Sequence, residues 1–189
     1  MSDTPKRPYR QVRAVADKVL ERFAPGCTRI ALAGSLRREK SLIGDIEIVA
    51  IPRFERPTLG AQCGWSEVDK LLAQFEASGG LHIRKGAKNR GHERKYVQFT
   101  FTVNAGLYVV DLFLQPDPAT WGCNYLVRTG SAEFSQRMVT PKTLGGYKPA
   151  GFAIEGARVW QDGVALATPE EEDIFALWGM DPVAPKERN

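Results

Sequence analysis

The sequence predicts an α+β protein: a mixed, mostly antiparallel sheet with helices on one face, followed by a small α/β subdomain. Three observations lead there. Apolar residues recur at helical spacing near the N-terminus and again from residue 65. Strand-length apolar segments bounded by Gly, Pro and Asn lie around and between those helices. After Pro116 the pattern changes to shorter helical segments and a Gly-, Pro- and aromatic-rich stretch.

Each element follows from its residues. Val12, Val15, Val19 and Phe23 step by three and four, which predicts a helix over 8–24 that Pro25-Gly26 ends. TRIALA at 28–33 reads as a strand, and Gly34-Ser35 turns it into a short helix. Gly44 precedes the strand DIEIVAI, which Pro52 closes. Residues 53–64 read as loop, and WSEVDKLLAQFEAS as an amphipathic helix ended by Gly79-Gly80. Three strands follow, LHIRKG, KYVQFTFTV and LYVVDLFLQ, the last two joined by a turn at Asn104-Ala105-Gly106. Residues 118–138 read as helical with a break at Thr129-Gly130-Ser131, and FAIEGARVWQDGVAL as a small β-meander. Thr168-Pro169-Glu170-Glu171 has the form of a helix start, with Thr168 as N-cap, Pro169 at the first helical position and the acid Glu171 at the capping-box position. A boundary near 117 divides the chain into 1–117 and 118–189.

The 189 residues suffice for one core or two small ones, and 43% hydrophobic with 25% charged residues is ordinary for a globular protein. No apolar run approaches the roughly 20 residues a membrane span needs, and the polar N-terminus has no signal-peptide core. Cys27, Cys63 and Cys123 are widely spaced without a C-x-x-C pair, so they read as free thiols of an intracellular protein. Trp65, Trp121, Trp160 and Trp178 read as packing residues. The net charge of +4 favours an anionic partner only weakly, but its distribution is uneven. Residues 84–95 carry Arg84, Lys85, Lys88, Arg90, Arg94 and Lys95 against one acid, Glu93.

The chemistry concentrates in AGSLRREKSLIGDIEIVA, residues 33–50. Residues two apart on a strand share a face, so Asp45 and Glu47 project together while Ile46 and Ile48 enter the core. Asp111 stands in the otherwise apolar LYVVDLFLQ, where a lone buried charge is costly. Three carboxylates at one sheet edge suit Mg²⁺, a hard cation that takes oxygen ligands. Gly34-Ser35 at a strand end suits a phosphate, as do the arginines at 37 and 38. Together these features describe a nucleotidyltransferase.

The segments AGSLRR, GDIEIV, VVDLFL, RTGSAEF and the C-terminal EEEDIFALWGM followed by PKERN resemble, in order and near spacing, the family-X DNA polymerases of the polymerase beta type. The resemblance implies a nucleotidyltransferase palm over 1–117 and a thumb over 118–189, without the N-terminal lyase domain of larger members. It implies a DNA-directed DNA polymerase for short gaps or repair, working with two Mg²⁺ or Mn²⁺ ions on Asp45, Glu47 and Asp111. Gly34, Ser35, Arg38 and Gly44 are then expected on the nucleoside triphosphate, with Thr129, Gly130, Ser131 and Ser135 near its sugar and base. Primer-template or gapped DNA is the expected partner, gripped by Arg84, Lys85, Lys88, Arg90, Arg94, Lys95, Arg137, Lys142 and Lys148. A monomer is expected, in a bacterial or virus-infected cytoplasm or a nucleus.

Two departures stand out. Glu47 replaces the family's usual Asp and moves the carboxylate by about 1.5 Å, one C–C bond. Val127-Arg128 stand where the family commonly has aromatic residues beside the sugar, which implies weak exclusion of ribonucleotides. The palm motifs are also compatible with transfer to another acceptor, such as an RNA end, a protein or a small molecule, and with a degenerate palm that only binds DNA.

Overall fold

The computed structural model describes residues 5–54, 64–104 and 106–189. In chain order the strands are β1 (Arg7–Pro8), β2 (Cys27–Leu32), β3 (Leu42–Ile43), β4 (Ile46–Pro52), β5 (Leu81–Lys85), β6 (Tyr96–Val103), β7 (Gly106–Leu114), β8 (Phe152–Glu155), β9 (Arg158–Gln161) and β10 (Val164–Leu166). The helices are α1 (Tyr9–Phe23), α2 (Gly34–Arg37), α3 (Glu67–Ala77), α4 (Trp121–Thr129), α5 (Ala132–Val139) and α6 (Glu171–Trp178). Contacts divide the chain into two compact units: Met1–Leu32 with Lys40–Pro116, and Ala33–Glu39 with Asp117–Asn189. Among the described residues, no helix is long and apolar enough to cross a membrane.

The first unit is built on a five-stranded sheet in the order β2-β4-β7-β6-β5. Every neighbouring pair is antiparallel except β4 and β7, which run parallel. One face of this sheet carries its helices. Val12, Val15, Ala16, Val19 and Phe23 form the buried stripe of α1, as the spacing predicts. The ring of Phe23 packs at 5.5 Å from Phe99 on β6 and 5.7 Å from Phe75 on α3. Ser66 caps α3 in a reciprocal box with Asp69, so the helix starts two residues later than WSEVDKLLAQFEAS suggested. Trp65 is thereby left outside the helix and 43% exposed, not packed on a helical face. Cys27 and Cys123 are free and buried, and burial pushes both thiols up to about 12. Cys63, most of the 53–64 loop and Ala105 of the expected turn lie outside the described residues.

The second unit packs α4, α5 and α6 around a core of Leu126, Phe134, Met138, Val159, Ile174, Phe175 and Trp178. A three-stranded antiparallel sheet, β8-β9-β10, forms the meander read from the sequence. Residues 33–39, read from the sequence as part of the first unit, group with this one. Arg37 and Arg38 supply the reason, because both bond to residues of α4 and the turn after it. The start of α6 also differs from expectation: Glu170 is the N-cap, boxed with Asp173, two residues after Thr168. Thr168 is fully buried and its backbone is committed elsewhere. Its N–H donates to the Ala119 carbonyl at 2.6 Å, and its carbonyl accepts from the Gly122 N–H at 2.8 Å.

That approach makes glycine obligatory at 122. A Cβ there would lie 1.9 Å from the Glu170 carbonyl oxygen and 2.7 Å from that of Thr168. Gly122→Ala forces α4 away from the start of α6, an overpacking that costs about 1–3 kcal/mol. Urea unfolding measures the loss; a change below about 0.5 kcal/mol, the range of neutral surface substitutions, would contradict this packing.

Candidate active site

The parallel pairing of β4 and β7 positions the acids. In its register Glu47 is the partner of Asp111, and both lie on the face opposite Ile46, Ile48, Val110 and Leu112. Asp45 sits in the bend just before β4, which starts one residue later than the strand read from the sequence. Burial first, and the negative charge of Asp111 second, raise the Asp45 carboxyl above the ordinary range. Asp45 and Asp111 therefore act on each other.

Asp111 is 9% exposed and held from β6. Gln98 is its register partner there, and the Gln98 side-chain Nε2 donates to Asp111 Oδ1 at 2.9 Å. The Tyr96 hydroxyl donates to the same oxygen. Neither residue was singled out from the sequence. The available signal was the polar alternation Tyr96, Gln98, Thr100, Thr102 along β6, which marks a face that is not core.

The donor chemistry fits a hard divalent cation: three carboxylates, two of them register partners and two of them repelling. A cation relieves that repulsion. Among the described residues, no three His, Cys, Asp or Glu side chains are gathered to hold an ion as they stand.

The residues expected on the nucleotide divide between the two units. Gly44 precedes Asp45 in the first unit. Gly34 opens α2 with φ +58°, a left-handed conformation that favours glycine, and Ser35 follows it half-buried. Arg38 donates through Nη1 to the carbonyls of Thr129 at 2.5 Å and Gly130 at 2.6 Å. Ser131 caps α5 by accepting from the Phe134 N–H, and the Ser135 hydroxyl donates to the Val127 carbonyl at 2.7 Å. These groups hold the second unit together.

Within that unit lies a charge cluster the sequence reading missed. Glu171, expected as a capping residue, is 5% exposed and gripped by two arginine forks. Arg37 donates to its two oxygens at 2.7 and 2.6 Å, and Arg188 at 2.6 and 3.3 Å. Arg37 also donates to Thr129 Oγ1 at 2.7 Å and lies 3.8 Å above the Tyr125 ring. Arg37 is thus a structural residue, holding α2 to α4 and α6. Burial pushes the Glu171 carboxyl up, but the hydrogen bonds from Arg37 and Arg188 outweigh it and leave the group below its ordinary value.

Of the cations expected on DNA, Arg84, Lys85, Lys88, Arg90, Lys95, Arg137 and Lys142 are exposed. Lys148 is half-buried and donates to the Phe152 carbonyl at 2.5 Å. Arg94 needs correction. It is 3% exposed, and its Nε lies 2.6 Å from Asp69 Oδ1, a charge contact that is not an aligned hydrogen bond. Burial lowers its pKa while Asp69 opposes the shift. Asp69 needs a buried cation beside it, so Arg94 is not a surface contact.

Compared with models of known protein families, the chain matches none. Among curated proteins it is similar to DNA polymerase lambda of Rattus norvegicus, with 25% identity over 195 residues. The match covers 98% of this chain and 33% of that protein, so the chain spans about a third of its relative's length.

Glu171 carries a pH dependence whose sign follows from its lowered pKa. Its contribution to stability is complete above the unfolded carboxyl value of about 4.3 and disappears as pH falls through the lower folded value. Glu171→Gln removes this acid-side loss and costs about 3 kcal/mol at neutral pH, since two arginines are left without their anion. Urea unfolding across pH measures both. A neutral-pH cost under about 1 kcal/mol, the scale of an exposed pair, would contradict the clamp.

Proposed function

We propose that the protein is a nucleotidyltransferase that extends a DNA 3′ end from a nucleoside triphosphate, most simply as a short-gap or repair polymerase. The observation that carries this is the register pairing of Glu47 with Asp111, with Asp45 coupled to Asp111 through its charge. The similarity to DNA polymerase lambda over 98% of the chain supports the same reading.

In this proposal the first unit is a palm and the second a thumb. Two Mg²⁺ or Mn²⁺ ions on Asp45, Glu47 and Asp111 supply, when bound, Lewis-acid activation of the 3′ hydroxyl and neutralisation of the phosphates. The 3′ oxygen forms a bond to the α-phosphorus, the bond from that phosphorus to the bridging oxygen breaks, and pyrophosphate leaves. Asp111 accepts the hydroxyl proton. The Tyr96 and Gln98 bonds hold its Oδ1 in one orientation, so little reorganisation is needed when the substrate arrives. Ser35, Arg38, Gly34 and Gly44 are assigned to the triphosphate, and Thr129, Gly130, Ser131 and Ser135 to the sugar and base. The exposed cations of the 84–95 loop, with Arg137, Lys142 and Lys148, are assigned to the DNA backbone.

Primer extension on gapped DNA tests the reading. The wild type extends the primer, and Asp111→Ala loses at least about 100-fold, the scale of removing a transition-state group. Manganese supports the reaction at least as well as magnesium, because Glu47 shifts one ligand and octahedral Mg²⁺ tolerates that poorly. Ribonucleotides are incorporated alongside deoxyribonucleotides. Equal extension by Asp111→Ala would overturn the assignment, and transfer to RNA or a small molecule but not to DNA would point to another acceptor.

DNA affinity is carried by exposed Lys and Arg, so it falls at least tenfold between about 50 and 200 mM salt. Fluorescence anisotropy with gapped duplex reads this directly. Unchanged affinity over that range would remove the basic surface from the account.

A further inference from the structure

The 84–95 loop is more than a run of charge. It is pinned at its centre by Asp69, which is 2% exposed. Asp69 Oδ2 accepts from the Gly91 N–H at 2.7 Å and from the Ser66 N–H and hydroxyl at 2.8 Å each, and Arg94 lies against its other oxygen. Two glycines let the chain close in. Gly86 at φ +79° and Gly91 at φ +56° each leave only 2.3 Å between a would-be Cβ and a carbonyl oxygen, that of Tyr96 and that of Gly64 respectively. The loop therefore has a fixed form, set by buried groups.

On either side of Gly91 stand two flat side chains, each backed by an aromatic ring. The Arg90 guanidinium lies 4.0 Å over the ring of Trp65. The His92 ring lies parallel to Phe54, with centroids 3.9 Å apart and planes 2° apart. Arg90 and His92 are exposed, and so is Trp65. A planar group with one face against a ring turns its other face outward. Exposed Arg84 and Lys85 at the end of β5, with exposed Lys88 and Lys95, belong to the same stretch of chain, in which Glu93 is the one acid. Charge alone asks for no aromatic floor beneath the cations. A strand with unstacked bases uses both features, the cations for its phosphates and the flat faces for its bases. Within duplex DNA the base faces are stacked on one another, and only the outer faces of the two end pairs are free.

We propose that this loop is a platform for unpaired bases and that it takes a single-stranded segment of DNA by stacking on Arg90 and His92. The inference rests on DNA being the substrate but not on the carboxylates. It is tested with the full chain, without nucleotide and with divalent metal chelated, so its outcome is independent of whether transfer occurs. Labelled oligo-dT, an abasic strand of the same length and a blunt duplex are titrated by anisotropy. Oligo-dT binds about tenfold tighter than the abasic strand, the scale of one base–side-chain stack. Arg90→Lys keeps the charge, loses the plane, and weakens oligo-dT about tenfold while weakening the abasic strand and the duplex by a smaller factor. Equal affinity of the wild type for oligo-dT and the abasic strand overturns the proposal, and needs no variant to fold. So does an Arg90→Lys variant that binds oligo-dT like the wild type or loses equally on all three ligands. Tighter binding of oligo-U than oligo-dT would overturn the assignment to DNA.

Discussion

One strand pairing organises the chemistry of the first unit. In a sheet that is otherwise antiparallel, β4 and β7 run side by side in the same direction. A parallel pair needs a long connection, here through α3, β5 and β6. That path brings Glu47 beside Asp111 although 64 positions separate them in the chain. It also sets Gln98 and Tyr96 of β6 on the far side of Asp111, where they bond its Oδ1. A one-residue slip of β7 would turn Asp111 into the core and Val110 or Leu112 out of it. The apolar core beneath the acids, with Ile46, Ile48 and Val110 fully buried, makes that slip costly. Core packing therefore fixes Glu47 and Asp111 in place on one face of the sheet.

The second unit solves a different problem. Its segment 33–39 is far in sequence from 117–189, and α2 has only four residues, too few to be stable alone. Arg37 and Arg38 tie it in: one through the doubly forked Glu171, the other through the Thr129 and Gly130 carbonyls. Arg188 completes the clamp from the C-terminal end and also presents its carbonyl to the Ser131 N–H. A buried charge with this many partners is an expensive anchor to break and a weak source of net stability. Its value is that it fixes which segments meet.

Much of this was legible in the sequence because periodicity reports burial directly. The stripe of α1, the strands around Asp45, Glu47 and Asp111, and the meander all follow from spacing. The misses have physical causes. Thr168 and Pro169 look like a helix start, but a tertiary contact with Ala119 and Gly122 takes the Thr168 backbone and delays α6. Arg94 looks like its basic neighbours; only the buried Asp69 distinguishes it, and that pairing is distant in sequence. The three-residue turn read at 104–106 was one residue too long, since Val103 pairs with Gly106. With the shorter turn the register puts Gln98 opposite Asp111, so that partner was within reach. Glu171 and Arg188 gave no local signal, because a clamp among three distant charges has no spacing to read.

In the proposed function Asp45, Glu47 and Asp111 form one electrostatic unit that draws in a divalent cation. Titration of the protein with Mn²⁺, followed by electron paramagnetic resonance in the absence of DNA and nucleotide, tests it most directly. The account predicts Mn²⁺ bound by the wild type and weakened at least tenfold in both Asp45→Asn and Asp111→Asn, the scale of losing one ligand-level contact. Wild type that binds no Mn²⁺, or variants that bind it as well as the wild type, would contradict it.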